Sequence, residues 1–299
     1  MSLRYRNWGV VAFKEHPRMG EAVEFLRDWA DRNGARLFFH QALDKLLDPA
    51  LPRHSGPQLL QRCDALLSLG GDGTFLSAAH MGLPRRLPVL GMNFGRLGFL
   101  ADITLETAER DLTDIACGEG LCEDRPFLEA RVQRGRKLVW KGLALNEICL
   151  QARRSVSMIE VAVHTDEGPL ADYWADGLIL STPTGSTAYS LALGGPIVQP
   201  GVAAILITPK APHSLTVRPM LLPDHHVLRL STCTHEGANL VADSRVEFPV
   251  EPGDRITVKK SRKVVRVLRP QGLAFAEILR RKLGWSGRPA SHPKDCHQD

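Results

Sequence analysis

No stretch of the 299 residues approaches the ~20 consecutive apolar residues of a membrane-spanning helix. The opening Met1-Ser2-Leu3-Arg4-Tyr5-Arg6 has no apolar signal-peptide core, so the expectation is a cytoplasmic protein with no membrane partner. The six cysteines (Cys63, Cys117, Cys122, Cys149, Cys233 and Cys296) form no CxxC pair and no zinc spacing. That argues against a structural metal and for thiols, several of them in apolar company, in a reducing compartment. Internal repeats and low-complexity tracts are also missing.

The length suits two domains or one large one, with ample material for a core. With 43% hydrophobic and 24% charged residues, the composition is that of a globular protein, neither disordered nor fibrous. The net charge is +5. Much of the excess falls late, in Lys259-Lys260-Ser261-Arg262-Lys263 and Arg280-Arg281-Lys282. A solvated strand end and a helix face explain these runs more simply than nucleic acid does, so no nucleic acid partner is expected. A mildly basic surface also suits polyanionic small molecules.

Over the first third, strands and helices alternate. Val10 to Phe13, Ala35 to Phe39, Asp64 to Leu69 and Leu87 to Met92 read as strands. Residues 19 to 32 carry apolar positions at helical spacing and end on Asn33-Gly34, a C-cap signal. Thr104 to Cys117 reads as a helix opened by a capping-box-like Thr104-Leu105-Glu106-Thr107. This order predicts a parallel sheet covered on both faces, with ligands at the carboxyl ends of its strands.

From about residue 123 the pattern becomes short alternating runs: 128–132, 143–148, 159–163, 177–180, 205–207, 226–230 and 255–258. One helix is expected to begin near Ser186. The rest predicts an all-β, sandwich-like domain. Phe275 to Leu283 is again helical with one apolar face and is expected to return to the first domain; Ser286 to Asp299 is expected to be disordered. The predicted domains are therefore 1–122 with 268–299, an α/β nucleotide-binding domain, and 123–267, a β-sandwich domain.

Gly70-Gly71-Asp72-Gly73-Thr74 follows the apolar run Ala65 to Leu69 and leads into Phe75-Leu76-Ser77-Ala78-Ala79. Glycines let backbone N–H groups approach a phosphate, and the helix N-terminus adds a favourable dipole. Gly70, Gly71, Gly73 and Thr74 are the candidate phosphate loop. A carboxylate in such a turn would repel a bare phosphate, so Asp72 is suited to a hydroxyl that receives a phosphoryl group or to a phosphate-bound metal. A Gly-Asp-Gly turn is also an ordinary way to end a strand.

Three further segments carry polar chemistry. Asn93-Phe94-Gly95-Arg96-Leu97-Gly98-Phe99-Leu100 is a second glycine turn after a strand. Asn146-Glu147 puts an amide beside a carboxylate in an apolar run, where a plain turn at a strand end is the competing reading. Asp176 to Tyr189 is rich in hydroxyls and small residues, and Gly194-Gly195-Pro196 closes it. Together these segments resemble the signature set of the NAD kinase family, and Pro212 to Pro219 is similar to a further family segment. The match runs in order over roughly residues 60 to 250. Gly-Gly-Asp-Gly alone also occurs in lipid kinases and phosphofructokinases; Thr-Pro-Thr-Gly-Ser-Thr-Ala-Tyr is far more specific.

The resemblance implies transfer of the terminal phosphoryl group of ATP, or inorganic polyphosphate, to the 2′-hydroxyl of the NAD adenosine ribose. Asp72 then resembles the catalytic base, with Gly73 against the nucleotide. Asn146 and Glu147 resemble the pair that holds adenine and ribose. Asp176 and the segment Thr187, Ala188, Tyr189, Ser190, Leu191 and Ala192 resemble the rest of the NAD pocket. A divalent metal, Mg2+ for preference, is implied as cargo of ATP, and a homodimer or homotetramer as the assembly. On chemical grounds a carboxylate is a weak base for a ribose hydroxyl. In a loose phosphoryl-transfer transition state the proton leaves late, so Asp72 orients the hydroxyl before accepting its proton.

Two residues counted in the NAD pocket depart from the family pattern: Trp174 replaces a frequent basic residue, and Arg245 replaces a frequent amide. Rival readings are a lipid kinase of the same superfamily and a noncatalytic NAD(P)-binding sensor. A dehydrogenase is disfavoured because Leu76 stands where the dinucleotide fingerprint needs Gly or Ala.

Overall fold

A computed structural model describes residues 2–43, 52–95, 98–154, 157–233 and 237–285. The expected disorder of Ser286 to Asp299, and the positions of Arg96, Leu97 and Cys296, lie outside the described residues. The chain divides into two compact units, Met1–Glu123 with Val267–Asp299 and Asp124–Arg266.

In the first unit, parallel strands run in the spatial order Arg53–His54, Arg36–His40, Asn7–Val11, Ala65–Leu69, Val89–Asn93. Val89–Asn93 also pairs in parallel with Ile103–Thr104 and with the end of the long strand Arg255–Arg269. All five residues of Ala65–Leu69 are buried, as expected for a strand covered on both faces. The chain leaves Asn7–Val11 toward one edge and returns through Ala65–Leu69 on its other side. The Gly70-Gly71 turn therefore opens at a topological switch point of the sheet.

Helix Met19–Asn33 buries Met19, Ala22, Val23, Leu26, Trp29 and Ala30, the face its spacing predicts, and Gly34 ends it at φ 68°. Its Trp29 meets Trp8 edge-on with ring centroids 6.5 Å apart. Helix Phe275–Leu283 falls in this unit, at the expected boundaries.

Several predicted boundaries move, for identifiable reasons. The first strand starts at Asn7 because the Asp64 carboxylate accepts the backbone N–H of Asn7 at 2.8 Å and of Arg6 at 3.1 Å. Asp64 accordingly caps the start of Ala65–Leu69 instead of joining it. The helix expected from Thr104 begins at Ala108: Thr104 ends a short strand, and Thr107 bonds back to it in a turn. A capping box does occur, at Ser55, where Gln58 accepts the Ser55 N–H at 3.0 Å.

The second unit is antiparallel. Val246–Val250, Ala238–Ala242, Glu147–Ala152, Gly168–Ser181, Ala204–Pro212 and Met220–Pro223 are successive neighbours. Gly168–Ser181 changes partner along its length. Up to Ala175 it pairs with Ile159–Thr165, and from Gly177 with Glu147–Ala152. Asp176 stands at the changeover. A side chain on Gly177 would lie 2.7 Å from the Leu150 carbonyl, so only glycine admits this crossing.

The run 143–148 proves to be two strands, Lys137–Ala144 and Glu147–Ala152, separated by a bend at Leu145-Asn146. The helix expected from Ser186 is a 3-10 turn, Thr184–Thr187, followed by one turn of α-helix, Tyr189–Ala192. His226 and Val227 fall outside their strand because both bond to Asp166. Among the described residues no helix is long and apolar enough to cross a membrane.

Candidate functional site

In the first unit, Gly70 takes φ 139° and donates to the Met92 carbonyl at 2.8 Å, which pins the turn to the neighbouring strand. Gly71 is the N-cap of helix Asp72–Gly82, so Asp72 occupies its first turn, where a negative charge meets the helix dipole favourably. The carboxylate is committed to the second glycine turn. Oδ2 accepts the Phe99 N–H at 3.1 Å, and Oδ1 accepts Leu100 at 3.0 Å and Ala101 at 3.2 Å. A carboxylate has about four acceptor directions, and three amides leave one of them, on Oδ2, for another donor. Gly98 makes this approach feasible: a Cβ there would stand 2.1 Å from Oδ1.

In the second unit, Asn146 and Glu147 are buried at 7% and 6% exposure. Thr182 fixes the preceding bend from both ends, donating its hydroxyl to the Leu145 carbonyl at 2.5 Å and its N–H to the Asn146 carbonyl at 2.9 Å. The Thr182 hydroxyl also accepts the Gly185 N–H at 3.0 Å. Any side chain on Gly185 would collide with the Asn146 carbonyl, at 2.1 Å, which explains glycine inside a hydroxyl-rich run. Ser186 is a second buried anchor, exchanging bonds with Val198 at 3.1 and 3.0 Å. Ser190 bonds to the Thr208 hydroxyl at 2.7 Å. These hydroxyls build the loop and are turned inward.

Glu147 accepts the backbone N–H of Tyr189. Burial, reinforced by the neighbouring charge of Asp243 and only partly offset by that amide, raises its carboxyl to about 7. Asn146 Oδ1 and Glu147 Oε2 are buried acceptors without a hydrogen-bond partner. Such orphans are rare in folded proteins and point to a ligand or to solvent.

The Tyr189 ring is partly exposed, with the Lys210 ammonium 5.8 Å from its centre. Asp176 is half-buried; Thr187, Ala188 and Leu191 are intermediate, and Ala192 is exposed. Trp174 is 58% exposed and lies against His213 with ring centroids 4.9 Å apart. Arg245 is exposed in the turn after Ala238–Ala242. Thus Asn146, Glu147 and Tyr189 are brought together.

Sequence reasoning missed Gly98, Thr182, Gly185 and Lys210 as parts of these sites. Gly98 and Gly185 contribute the lack of a side chain, which no residue-type signal marks, while the Thr182 hydroxyl and the Lys210 ammonium act on partners distant in sequence. An open cavity in the first unit, lined by Asp102, Thr104, Arg110, Asp111, Arg281 and Lys282 among others, includes none of the predicted site residues. Among the described residues no group of three or more His, Cys, Asp or Glu side chains could hold a metal ion. Both Asp72 oxygens accept backbone amides, which fixes the carboxylate's orientation.

Comparison with known proteins identifies the family. The family model of the ATP-NAD kinase N-terminal domain matches residues 52–119, and that of the C-terminal domain matches residues 145–269. The NAD kinase of Bordetella pertussis is 40% identical over 225 residues, 74% of this chain and 75% of its own length. That of Shewanella halifaxensis is 33% identical over 290 residues, 96% of this chain and 94% of its own. Yeast NADH kinase, solved with NADH, superposes with a TM-score of 0.86 at 27% identity, over 96% of this chain and 90% of that one. An Archaeoglobus fulgidus NAD kinase solved with ATP gives 0.70 at 25% identity, over 93% of this chain and 96% of that one. The two glycine turns, the Asn146-Glu147 bend and the Thr182–Tyr189 loop are thus set in the fold of those kinases, and the chain belongs to the NAD kinase family.

Proposed function

We propose that the protein transfers the terminal phosphoryl group of ATP to the 2′-hydroxyl of the adenosine ribose of NAD, giving NADP. The observation that carries this reading is the pair of buried, unpartnered acceptors at Asn146 and Glu147. Ribose hydroxyls and the adenine amine are donors of the kind such acceptors lack. Neighbours solved with NADH and with ATP support the two substrates.

Asp72 acts as the partner of the reacting hydroxyl. Its remaining acceptor direction orients the 2′-OH, while the amides of 99–101 hold the carboxylate still, so the nucleophile is positioned before bond formation. The proton passes to Asp72 Oδ2 as the new P–O bond forms and ADP leaves. Amides at the start of helix Asp72–Gly82 are suited to the phosphates.

Glu147, ionised, takes the ribose hydroxyls; Asn146 takes adenine through an amide that both donates and accepts. Tyr189 offers its ring for stacking, and Asp176, Thr187, Ala188, Ser190, Leu191, Ala192, Trp174 and Arg245 complete the NAD pocket. A divalent ion carried on the ATP phosphates is proposed to offset their charge, with magnesium as the proposed ion. We further assign the protein to the cytoplasm and to a homodimer or homotetramer.

The test is to incubate the protein with NAD, ATP and magnesium and measure NADP. Appearance of NADP with equimolar ADP is expected. Phosphorylation of diacylglycerol in place of NAD, or NADP binding without turnover, would overturn the reading.

A further inference from the structure

The bend that presents Asn146 and Glu147 is held by a residue almost 100 positions away in the chain. Asp243 is buried at 4% exposure. Its Oδ2 accepts the Leu145 N–H at 2.7 Å, and its Oδ1 accepts those of Asn146 at 2.8 Å and Glu147 at 3.2 Å. In return the Asp243 N–H donates to the Glu147 carbonyl at 3.0 Å. Three consecutive amides converging on one carboxylate require a curved backbone, which a continuing strand would not supply. Together they satisfy a charge that would otherwise be costly to bury.

The geometry is bought with backbone strain. Asp243 and Ser244 take φ 49° and 52°, in the left-handed region, at the turn between Ala238–Ala242 and Val246–Val250. Side chains rarely occupy that region twice in succession, and aspartate is among the residues that tolerate it. Strain kept where a buried carboxylate meets a candidate site points to function.

We propose that Asp243 is a positioning residue: its carboxylate clamps the backbone of 145–147 so that the Asn146 and Glu147 side chains stand ready for the dinucleotide. The inference rests on the NAD reading above. It has a second, electrostatic consequence. The groups acting on Glu147 are Asp243 from the hairpin turn and the Tyr189 amide from the short helix; Cys149, on the same strand, feels Glu147 and Lys210 in turn. Asp243 is therefore the fixed charge that, after burial, holds the Glu147 carboxyl high.

The experiment compares the wild-type chain with Asp243→Asn and Asp243→Glu. Kinetics with NAD and ATP varied separately are run across the pH range around 7, with hydrogen exchange of amides 145–147 followed in parallel. Asp243→Asn removes the charge. We expect the KM for NAD to rise at least about tenfold, with kcat and the KM for ATP within about threefold. The pH midpoint of kcat/KM for NAD should move to lower pH, a change that a merely structural role would not produce. Asp243→Glu keeps the charge but displaces it, so the KM for NAD should rise while the midpoint stays. Exchange at 145–147 should accelerate in both variants.

Folded Asp243→Asn protein with a KM for NAD within about twofold of wild type, an unmoved midpoint, or unchanged exchange would overturn the proposal. If Asp243→Asn does not fold, Asp243→Glu carries the KM and exchange comparison by itself. A wild-type chain that makes no NADP defeats the NAD reading instead, and the exchange rates still report on the clamp.

Discussion

Gly98 and the carboxylate of Asp72 are in mutual van der Waals register: a methyl group on Gly98 would lie 2.1 Å from Oδ1 and 3.0 Å from the Ala101 nitrogen. The second glycine turn therefore closes over the aspartate only because position 98 has no side chain. Gly98→Ala is expected to push the carboxylate off its amides and lower kcat by at least about 100-fold, or ~2.7 kcal/mol. The KM for NAD should change little. Steady-state kinetics decides it, and activity within threefold of wild type would show that the amide cradle is dispensable.

Asp72→Asn tests the cradle from the other side. The variant should keep NAD binding and lose most turnover, since one face of the amide now donates where backbone N–H groups also donate. Binding is measured by titration calorimetry and turnover by NADP formation. A rate within about tenfold of wild type (~1.4 kcal/mol), or loss of binding and rate together, would remove Asp72 as the hydroxyl's partner.

Asn146→Ala and Glu147→Ala should each raise the KM for NAD while leaving that for ATP nearly unchanged, because the orphaned acceptors of this bend are assigned to the dinucleotide. A change confined to ATP would mean that the two nucleotides have been assigned to the wrong segments.

Glu147 also predicts how stability depends on pH. Its carboxyl is raised to about 7 in the folded protein, from an ordinary value of 4.5. The folded state therefore binds the proton more tightly than the unfolded chain, so this residue's contribution falls as pH rises between those two values. Glu147→Gln abolishes that loss. Relative to wild type, the variant should gain on the order of a few kcal/mol at pH 8 and close to nothing at pH 4. Urea unfolding at the two pH values measures it; an equal difference at both would show that Glu147 is not held protonated.

Trp174, with 58% of its surface exposed beside His213, is a large aromatic with no core to fill. Its position next to Asp176 leads us to expect a subunit contact bordering the NAD site, aromatics being enriched in interface cores. Trp174→Ala should weaken self-association and NAD affinity together. Sedimentation of wild-type protein as a fully active monomer would leave the expectation without a basis.

Much of the first unit was legible because its signals are local. The apolar stripe of 19–32, Gly34 behind it and the buried run Ala65–Leu69 each specify an element without help from distant residues. Less was legible where a local pattern had more than one outcome. Leu143 to Ile148 is apolar enough for one strand, but Thr182 and Asp243 draw its middle into a bend. Thr104 to Thr107 has the composition of a capping box, yet Thr104 is taken up by strand pairing with Asn93.

The same division holds for chemistry. Residue types alone determined that this chain carries a carboxylate in a glycine turn, an amide–carboxylate pair and a long run of hydroxyls; it was their resemblance, in order, to a family signature set that pointed to NAD kinases. Tertiary structure decided what each polar atom is free to do. Most of the hydroxyls in the run of Thr182, Ser186 and Ser190 are spent on holding loops. Asp72 keeps one acceptor direction because residues 99–101 take the others, and burial, followed by the charge of Asp243 from 96 positions away, raises the Glu147 carboxyl. A hydrogen bond or a desolvated charge depends on distance in space, and separation along the chain does not encode that distance until the sheet register is set.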